Sequence, residues 1–185
     1  HVLIEGGTIR EVGPKVRSDK ARVIDLGRRT LMPGLIDAHV HVIAVMADLG
    51  ANAALPDSLV TARSFKVMNG MLMRGFTTVR DVGGADHGLQ VACDEGGPIP
   101  TPRLVRSGKA LSQTGGHTDY RGRYDNRPHP QSHFSLGALG RICDGVAEVR
   151  KAAREEIQRG AAFVKVMANG GVSSPTDPIH FLGFG

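Results

Sequence analysis

Aromatic side chains are scarce in this chain of 185 residues. Tryptophan is absent, and phenylalanine, tyrosine and tryptophan together make up 4% of the sequence. Proteins that bind single-stranded nucleic acid stack the bases on aromatic side chains beside a basic groove. The formal net charge is +5, but the basic residues are dispersed among acidic ones. We therefore expect no nucleic-acid partner, and we interpret the charge as a solvated surface rather than as a site for an anionic partner.

Cysteines and long apolar runs are also few. Cys93 and Cys143 are the only cysteines, and their wide separation matches neither a disulfide framework nor a zinc ribbon. No apolar run approaches the length of about 20 residues that a transmembrane helix needs, so we expect no membrane partner. His1 stands inside a strand-like run, and a signal peptide could precede it. The sequence thus leaves the compartment open, with the cytoplasm as the expectation.

Glycine, in contrast, is abundant, and its 25 residues divide the chain into short elements. Residues 1–32 contain strand-like runs separated by Gly-Gly and Gly-Pro turns, the last of them over 22–26. This pattern predicts part of a small β-sandwich domain. Residues 33–185 alternate between strand and helix patterns, which is typical of a parallel α/β fold. The predicted strands of this region lie near 35–43, 76–80, 103–107 and 161–167.

The predicted helices complete this alternation. One follows residues 56–58 and ends before Gly75, a short one lies near 87–95, and a third begins after Asp144 and ends at Gly160. The stretch 112–142 is rich in glycine, proline and histidine and is predicted as a long loop of the functional or mobile kind. Four strand–helix units are half of an eight-stranded TIM barrel. The predicted fold is therefore α/β, the N-terminal half of a TIM-like (β/α)8 barrel, preceded by part of a small β-sandwich.

The first predicted strand of this barrel carries three polar residues on one side. Asp37, His39 and His41 alternate with apolar residues, and side chains two apart in a strand point the same way. Two imidazoles on one face can converge on one divalent metal ion. The alternative is a pair of hydrogen-bonded core histidines. We favour the metal, because a core strand has little other reason to carry two histidines and an aspartate on one side.

Three motifs of the chain resemble those of the amidohydrolase superfamily. Pro33 to His41 (PGLIDAHVH) resembles the first-strand signature, and Gly75 to Gly84 (GFTTVRDVGG) resembles the second strand and its turn. Phe163 to Pro178 (FVKVMANGGVSSPTDP) resembles the fourth strand and its loop in the branch of Xaa-Pro dipeptidase-like and imidazolonepropionase-related enzymes. The motifs occur in the order of the family, and the similarity runs over nearly the whole chain.

This resemblance implies a site with two divalent metal ions, with zinc as the expected metal. It implies that His39 and His41 bind one ion and that Lys165, carboxylated by carbon dioxide, bridges both. A lysine inside an apolar strand is costly unless it is paired or modified. Two alternatives remain for Lys165: a stem that packs while the amine reaches water, and a Schiff-base lysine. The histidine pair on the first strand disfavours the Schiff base.

The same resemblance gives roles to other polar residues. Asp37 is predicted to orient a ligand imidazole, with a structural carboxylate bound to backbone amides as the alternative. Gly115 to Asp119 (GGHTD) resembles a Gly-Gly-His-Gly-Asp motif of the dipeptidase-like branch, from which the chain departs at Thr118. His117 is predicted to bind substrate, with a loop histidine without a role as the alternative. Asp81, which follows the second strand, is interpreted as a support of the loop geometry.

The remaining metal-site residues of the family, including the catalytic aspartate, are expected beyond Gly185, so no catalytic residue is assigned. We expect a metal-dependent hydrolase that uses a metal-activated water to cleave a C–N bond. The expected substrate is a small molecule, an Xaa-Pro-type dipeptide or N-acyl amino acid, and the full-length protein is expected to be a homo-oligomer. The alternatives are a cyclic-amide hydrolase of the imidazolonepropionase type and an inactive truncated fragment. The chain alone is expected to be inactive.

Overall fold

The computed structural model describes residues 1–126, 135–172, 174 and 176–184, and these fall into two compact units. The first unit, His1–Pro33, contains an antiparallel pair of strands, β1 (Val2–Glu5) and β2 (Thr8–Val12). The turn between the strands consists of two glycines with φ values of +57° and +76°. Glycine adopts these left-handed values without strain, so the Gly-Gly turn of the sequence produces the hairpin.

The strand predicted over residues 22–26 is not formed. This stretch takes no regular structure, and the side chains of Val23 and Ile24 are exposed. A short alternating run becomes a strand only when a neighbouring strand accepts its backbone hydrogen bonds. The described part of the first unit supplies no such partner, so the prediction is wrong here.

The second unit, Gly34–Gly185, begins with a parallel sheet. Its strands are β3 (Leu35–Val40), β4 (Phe76–Asp81) and β5 (Arg103–Arg106), in the order β3-β4-β5. Helices α1 (Leu49–Ala53) and α2 (Asp57–Met73) connect the first two strands, and α3 (His87–Asp94) connects the next two. Asp81 pairs with Val40 on one side and with Arg106 on the other, so the carboxyl ends of the three strands lie level.

The apolar core lies between this sheet and its helices. Helix α2 begins after Pro56 and ends before Gly75, whose φ of +95° breaks the helix. Its residues Phe65 and Met68 are buried with Val79 of β4 in the same cluster. Among the described residues, no helix combines the length and the apolar character that crossing a membrane requires.

A second parallel pair follows, formed by β6 (Ala110–Ser112) and β7 (Gly140–Ile142). Helix α4 (Gly145–Gln158) comes next. The prediction of one long loop over 112–142 is therefore wrong at its end, where β7 pairs with β6; residues 127–134 lie outside the described part. Strands of three residues are too short to show an alternation in sequence.

The strand predicted over 161–167 is present only as a single parallel bridge between Leu111 and Val166. The backbone N–H of Leu111 donates to Lys165 O at 2.9 Å, and Met167 N–H donates to Leu111 O at 2.9 Å. The segment beside residues 161–167 is interrupted between β5 and β6, where Gly108 has a φ of +70°. This interruption removes the regular spacing of hydrogen-bonding groups that a longer ladder would need.

Asn52 fastens two distant loops to each other. Its side chain is fully buried, and its amide donates to Ile43 O at 3.0 Å and to Gly137 O at 2.8 Å. Its carbonyl oxygen accepts from Val45 N–H at 3.0 Å. The amide therefore satisfies buried backbone groups on both sides, and the loop after β3 and the segment before β7 depend on it.

We predict that Asn52→Asp destabilises the full-length protein by about 2–4 kcal/mol, because a carboxylate replaces the amide that donates to two carbonyls. Urea unfolding measures this change. Asn69→Asp is the matched control, since its amide makes one exposed hydrogen bond, to Pro100 O at 2.9 Å. Its expected cost is below about 1 kcal/mol. Equal losses in the two variants would contradict the role of Asn52.

Candidate metal centre

Two imidazoles lie side by side at the carboxyl end of β3. His39 is in the strand, and His41 follows Val40, its last residue. The ring centroids are 5.5 Å apart and the ring planes meet at 79°, an edge-to-face arrangement. The strand alternation thus brings both rings to one region, which is what two ligands of one metal ion require.

The ring of His41 is oriented by the loop after β4. Its Nδ1 lies 3.2 Å from the backbone oxygen of Gly83. A carbonyl oxygen can only accept, so Nδ1 carries the proton and donates it. In the neutral ring the lone pair is then on Nε2, the nitrogen that remains available to a metal ion.

Both imidazoles have a lowered pKa. For His39, burial and the charges of Lys165, His41 and Arg80 lower the pKa, and the carboxylate of Asp37 opposes them. For His41, burial lowers the pKa, the hydrogen bond to the Gly83 carbonyl opposes it, and the charge of Lys165 lowers it further. The rings are therefore neutral at pH 7, which is the form that binds metal ions.

Lys165 lies near these rings although it is distant in sequence. Its backbone is held beside β6 by the hydrogen bond from Leu111. Its positive charge lowers the pKa of His39, of His41 and also of His117. The structure therefore gathers the three predicted metal residues and the predicted substrate residue into one electrostatic neighbourhood.

His117 reaches this neighbourhood from the loop after β6. A Cβ atom at Gly171 would clash with Cε1 of the His117 ring, so the ring packs directly on the bare backbone of this glycine. Its Nδ1 is 3.5 Å from Oγ of Ser174. Burial lowers the pKa of His117, the charge of Asp177 raises it, and the charges of Lys165 and His41 lower it.

Asp177 is a residue that the sequence reading missed. The surrounding serine, threonine and proline residues predict turn chemistry at this position, but the side chain of Asp177 is buried, and neither carboxylate oxygen has a hydrogen-bond partner among the described residues. Its charge acts on His117. No local pattern of the sequence indicates that a buried carboxylate acts on a loop histidine.

Asp37 is the remaining residue of the predicted site, and Thr118 is the position where the chain departs from the family motif. The carboxylate of Asp37 accepts the backbone N–H of His39 at 3.1 Å, and its charge acts on the His39 ring. Its role in orienting a ligand imidazole stays a prediction. Thr118 replaces the glycine of the family motif, and its side chain packs on Gly140, where a Cβ atom would clash with its Oγ1. The larger residue is thus accommodated by a glycine in β7.

Asp81 is fully buried at the end of β4. Burial raises its pKa to about 6, against the hydrogen bonds from three backbone N–H groups and the charge of Lys109. The carboxyl group is therefore ionised at pH 7. The sequence motif at residues 75–84 indicated loop support here, but it did not indicate that Gly83 contacts His41.

The donors present fit part of a divalent metal site. Two neutral imidazoles suit zinc, and His41 has its Nε2 free for an ion. Among the residues described here, no group of three or more histidine, cysteine, aspartate or glutamate side chains could hold a metal ion. The described residues thus supply two imidazoles and one lysine, and these three side chains are the ones that fit a divalent metal site.

Comparison with known proteins identifies the family to which this chain belongs. The sequence profile of the amidohydrolase family matches residues 30–184, and the chain belongs to this family. A crystal structure of an amidohydrolase is 53% identical with a TM-score of 0.94, and this chain is covered completely and that chain to 45%. A crystal structure of a prolidase complexed with N-methylphosphonate-L-proline is 50% identical with the same TM-score and coverage. Ochratoxinase from Aspergillus niger is 37% identical over 166 residues, 83% of this chain and 34% of that protein.

The chain therefore spans less than half the length of these relatives. The resemblance drawn from the three motifs is confirmed, since the solved neighbours are prolidase-like amidohydrolases. The predicted fold is confirmed as well: the parallel α/β unit matches the N-terminal part of the (β/α)8 barrel of these neighbours.

We predict that the His39 and His41 rings of the metal-free full-length protein titrate below the ordinary value of 6.5. The unfolded chain then binds more protons than the folded one between the two pKa values, so stability falls as the pH falls through this window. A 15N NMR titration of histidine-labelled protein measures the ring pKa values, with the urea-unfolded protein as the control. A folded-state pKa at or above 6.5 for both rings would contradict the prediction.

Proposed function

We propose that the whole protein is a metal-dependent hydrolase that cleaves a C–N bond in a small substrate. In this proposal His39 and His41 would hold one of two divalent metal ions, with zinc as the expected metal, and carboxylated Lys165 would supply oxygen ligands to both. The observation that carries it is the approach of the two neutral rings to 5.5 Å beside Lys165, at the carboxyl end of a parallel barrel strand. This end of the barrel strands is where TIM-barrel enzymes carry their active sites.

Lys165 needs a chemical change in this role. As an ammonium group it repels protons from the three neighbouring histidines, and it would repel a metal cation in the same way. If the ammonium group loses a proton to solvent, the neutral amine can form an N–C bond to carbon dioxide and release a second proton. The resulting carbamate replaces the positive charge by a negative one with two oxygen ligands. The same position then attracts divalent ions, which prefer such oxygen donors together with imidazole.

The residues of this chain prepare the reaction around the metal ions. When bound, two such ions polarise the scissile carbonyl and lower the pKa of the attacking water. His41 keeps Nε2 unprotonated by donating from Nδ1 to Gly83. His117 projects from the loop after β6, and its neutral ring can donate one hydrogen bond to a substrate oxygen. Its packing on Gly171 limits the positions that the ring can take.

The proposed substrates are Xaa-Pro dipeptides or N-acyl amino acids with a free carboxylate. The similarity to a prolidase over the complete chain supports this class, and the 37% identity to ochratoxinase is compatible with it. A cyclic amide of the imidazolonepropionase type is the competing substrate. We assign the activity to the full-length protein and not to residues 1–185 alone.

We predict that the zinc-loaded full-length protein releases free proline from Xaa-Pro dipeptides, and that His39→Ala or His41→Ala abolishes this activity together with bound zinc. The loss in kcat/KM is expected to be at least about 100-fold, since even a residue that only orients a ligand is worth 10–100-fold. Chromatographic detection of proline and elemental analysis of the purified variants are the measurements.

The control for this experiment is His87→Ala. His87 is exposed at the start of α3, and its Nδ1 contacts Arg106 rather than the site, so both zinc content and turnover should persist. Full zinc content in both the His39 and His41 variants would reject these ligands. Turnover of a cyclic amide without release of proline would reject the dipeptidase specificity and leave the metal site intact.

We also predict that Lys165→Ala is inactive and regains part of its activity when a short-chain carboxylic acid is supplied with divalent metal. The acid enters the space of the missing side chain and supplies a bridging anion. Steady-state assays over a series of acids measure the rescue, and Lys151→Ala, an exposed lysine of α4, is the control. An active, metal-loaded enzyme whose Lys165 is a free amine by mass spectrometry would refute the carbamate.

A further inference from the structure

The carboxylate of Asp81 accepts hydrogen bonds from three backbone N–H groups. It is the last residue of β4, and its side chain is fully buried. Oδ2 accepts from Val42 N–H at 2.7 Å, and Oδ1 accepts from Gly83 N–H at 3.0 Å and from Ala85 N–H at 3.3 Å. One side chain therefore joins the end of strand β3 to the loop that follows β4.

These bonds flank His41 on two sides. Val42 is the next residue after His41, so its hydrogen bond to Asp81 fixes the peptide group between His41 and Val42. Gly83 is the residue whose carbonyl accepts from Nδ1 of the His41 ring, and its own N–H is bound to Asp81. The backbone of the ligand and the group that orients its ring are thus held by the same carboxylate.

The loop has little freedom to place the Gly83 carbonyl elsewhere. A Cβ atom at Gly83 would lie 3.0 Å from Leu139 O and 3.3 Å from both Cε1 and Nδ1 of His41, tighter than ordinary contact. Gly84 has a φ of +113°, and its N–H donates to Gly108 O at 2.8 Å. The loop therefore approaches the ring as bare backbone, and a small shift of Gly83 would change the hydrogen bond to Nδ1.

Only an ionised carboxylate satisfies this arrangement. It is an acceptor on both oxygens, whereas an asparagine has one acceptor oxygen and a donor NH2 group. In the place of Asp81 an amide would direct its NH2 group at the N–H of Val42 or at those of Gly83 and Ala85. One of the two connections to His41 would then be replaced by a repulsive donor–donor contact.

We propose that Asp81 is a positioning residue for the metal site, which acts through Val42 and Gly83 to hold His41 as the Nδ1–H tautomer with Nε2 directed to the ion. This inference rests on the proposed function in one respect: the ion is the one that His39 and His41 bind. It assigns to strand β4 a role in metal binding that is separate from donating a ligand.

The test compares full-length Asp81→Asn with the wild-type protein. The zinc affinity of the metal-free proteins is measured by competition with a chromophoric chelator, and we expect an affinity about 10–100-fold lower in the variant. The ring tautomer of His41 is measured in the same metal-free proteins by 15N NMR. The Nδ1–H form is expected in the wild type, with a larger share of the Nε2–H form in Asp81→Asn.

Asp86→Asn is the matched control. It makes the same chemical change five positions further on, where the carboxylate accepts from Leu89 N–H at 2.8 Å at the start of α3. It contacts neither Val42 nor Gly83 in the hydrogen bonds of this loop. Zinc affinity and His41 tautomer should therefore be those of the wild type.

The outcomes separate this proposal from the function on which it rests. A folded Asp81→Asn protein with wild-type affinity and tautomer overturns the positioning role alone. A wild-type protein that binds no zinc overturns the proposed function, and the His41 tautomer then still decides the role of Asp81. If Asp81→Asn does not fold, Asp81→Ser, which keeps one acceptor oxygen, is measured in its place. If neither variant folds, Asp81 is required for folding and the positioning role is rejected.

Discussion

A carboxylate without access to water has to be solvated by the protein, and this condition shapes the carboxyl ends of the first two barrel strands. Asp81 is fully buried, and three backbone N–H groups take the place of its hydration shell. They come from two separate segments, so neither segment can move without leaving a buried charge unsatisfied. The position of the His41 ring follows from that restraint, because the ring donates to one of the two segments.

The charges around the site have a second organising effect. Lys165 lowers the pKa of three histidines, while Asp37 raises that of His39 and Asp177 raises that of His117. A histidine that stays neutral at pH 7 does not need to lose a proton before it binds a metal ion. The positive charge of Lys165 has this effect only while its amine is unmodified, because the proposed carbamate replaces that charge by a negative one.

The elements predicted from sequence are confirmed where local chemistry decides them. Helix α2 begins at Asp57, directly after Pro56, and ends just before Gly75, whose left-handed φ the sequence could indicate from glycine alone. The N-cap of α4 at Asp144 is placed correctly, although its side chain binds Thr114 instead of the helix. Predictions failed where a strand needs a distant partner: residues 22–26 have none in the described chain, and β7 pairs with β6 across a long loop.

The same distinction separates the two halves of the candidate site. The shared face of His39 and His41 is a property of the backbone, since residues two apart in a strand point the same way, and the sequence by itself determined it. The sequence also identified Lys165 and His117, but through motifs and not through distances. Tertiary structure alone decided that Gly83 accepts from His41, that Gly171 contacts the His117 ring and that Asp177 is buried with its charge acting on His117. These contacts join residues far apart in the chain, and close packing, which no local pattern encodes, sets which of them meet.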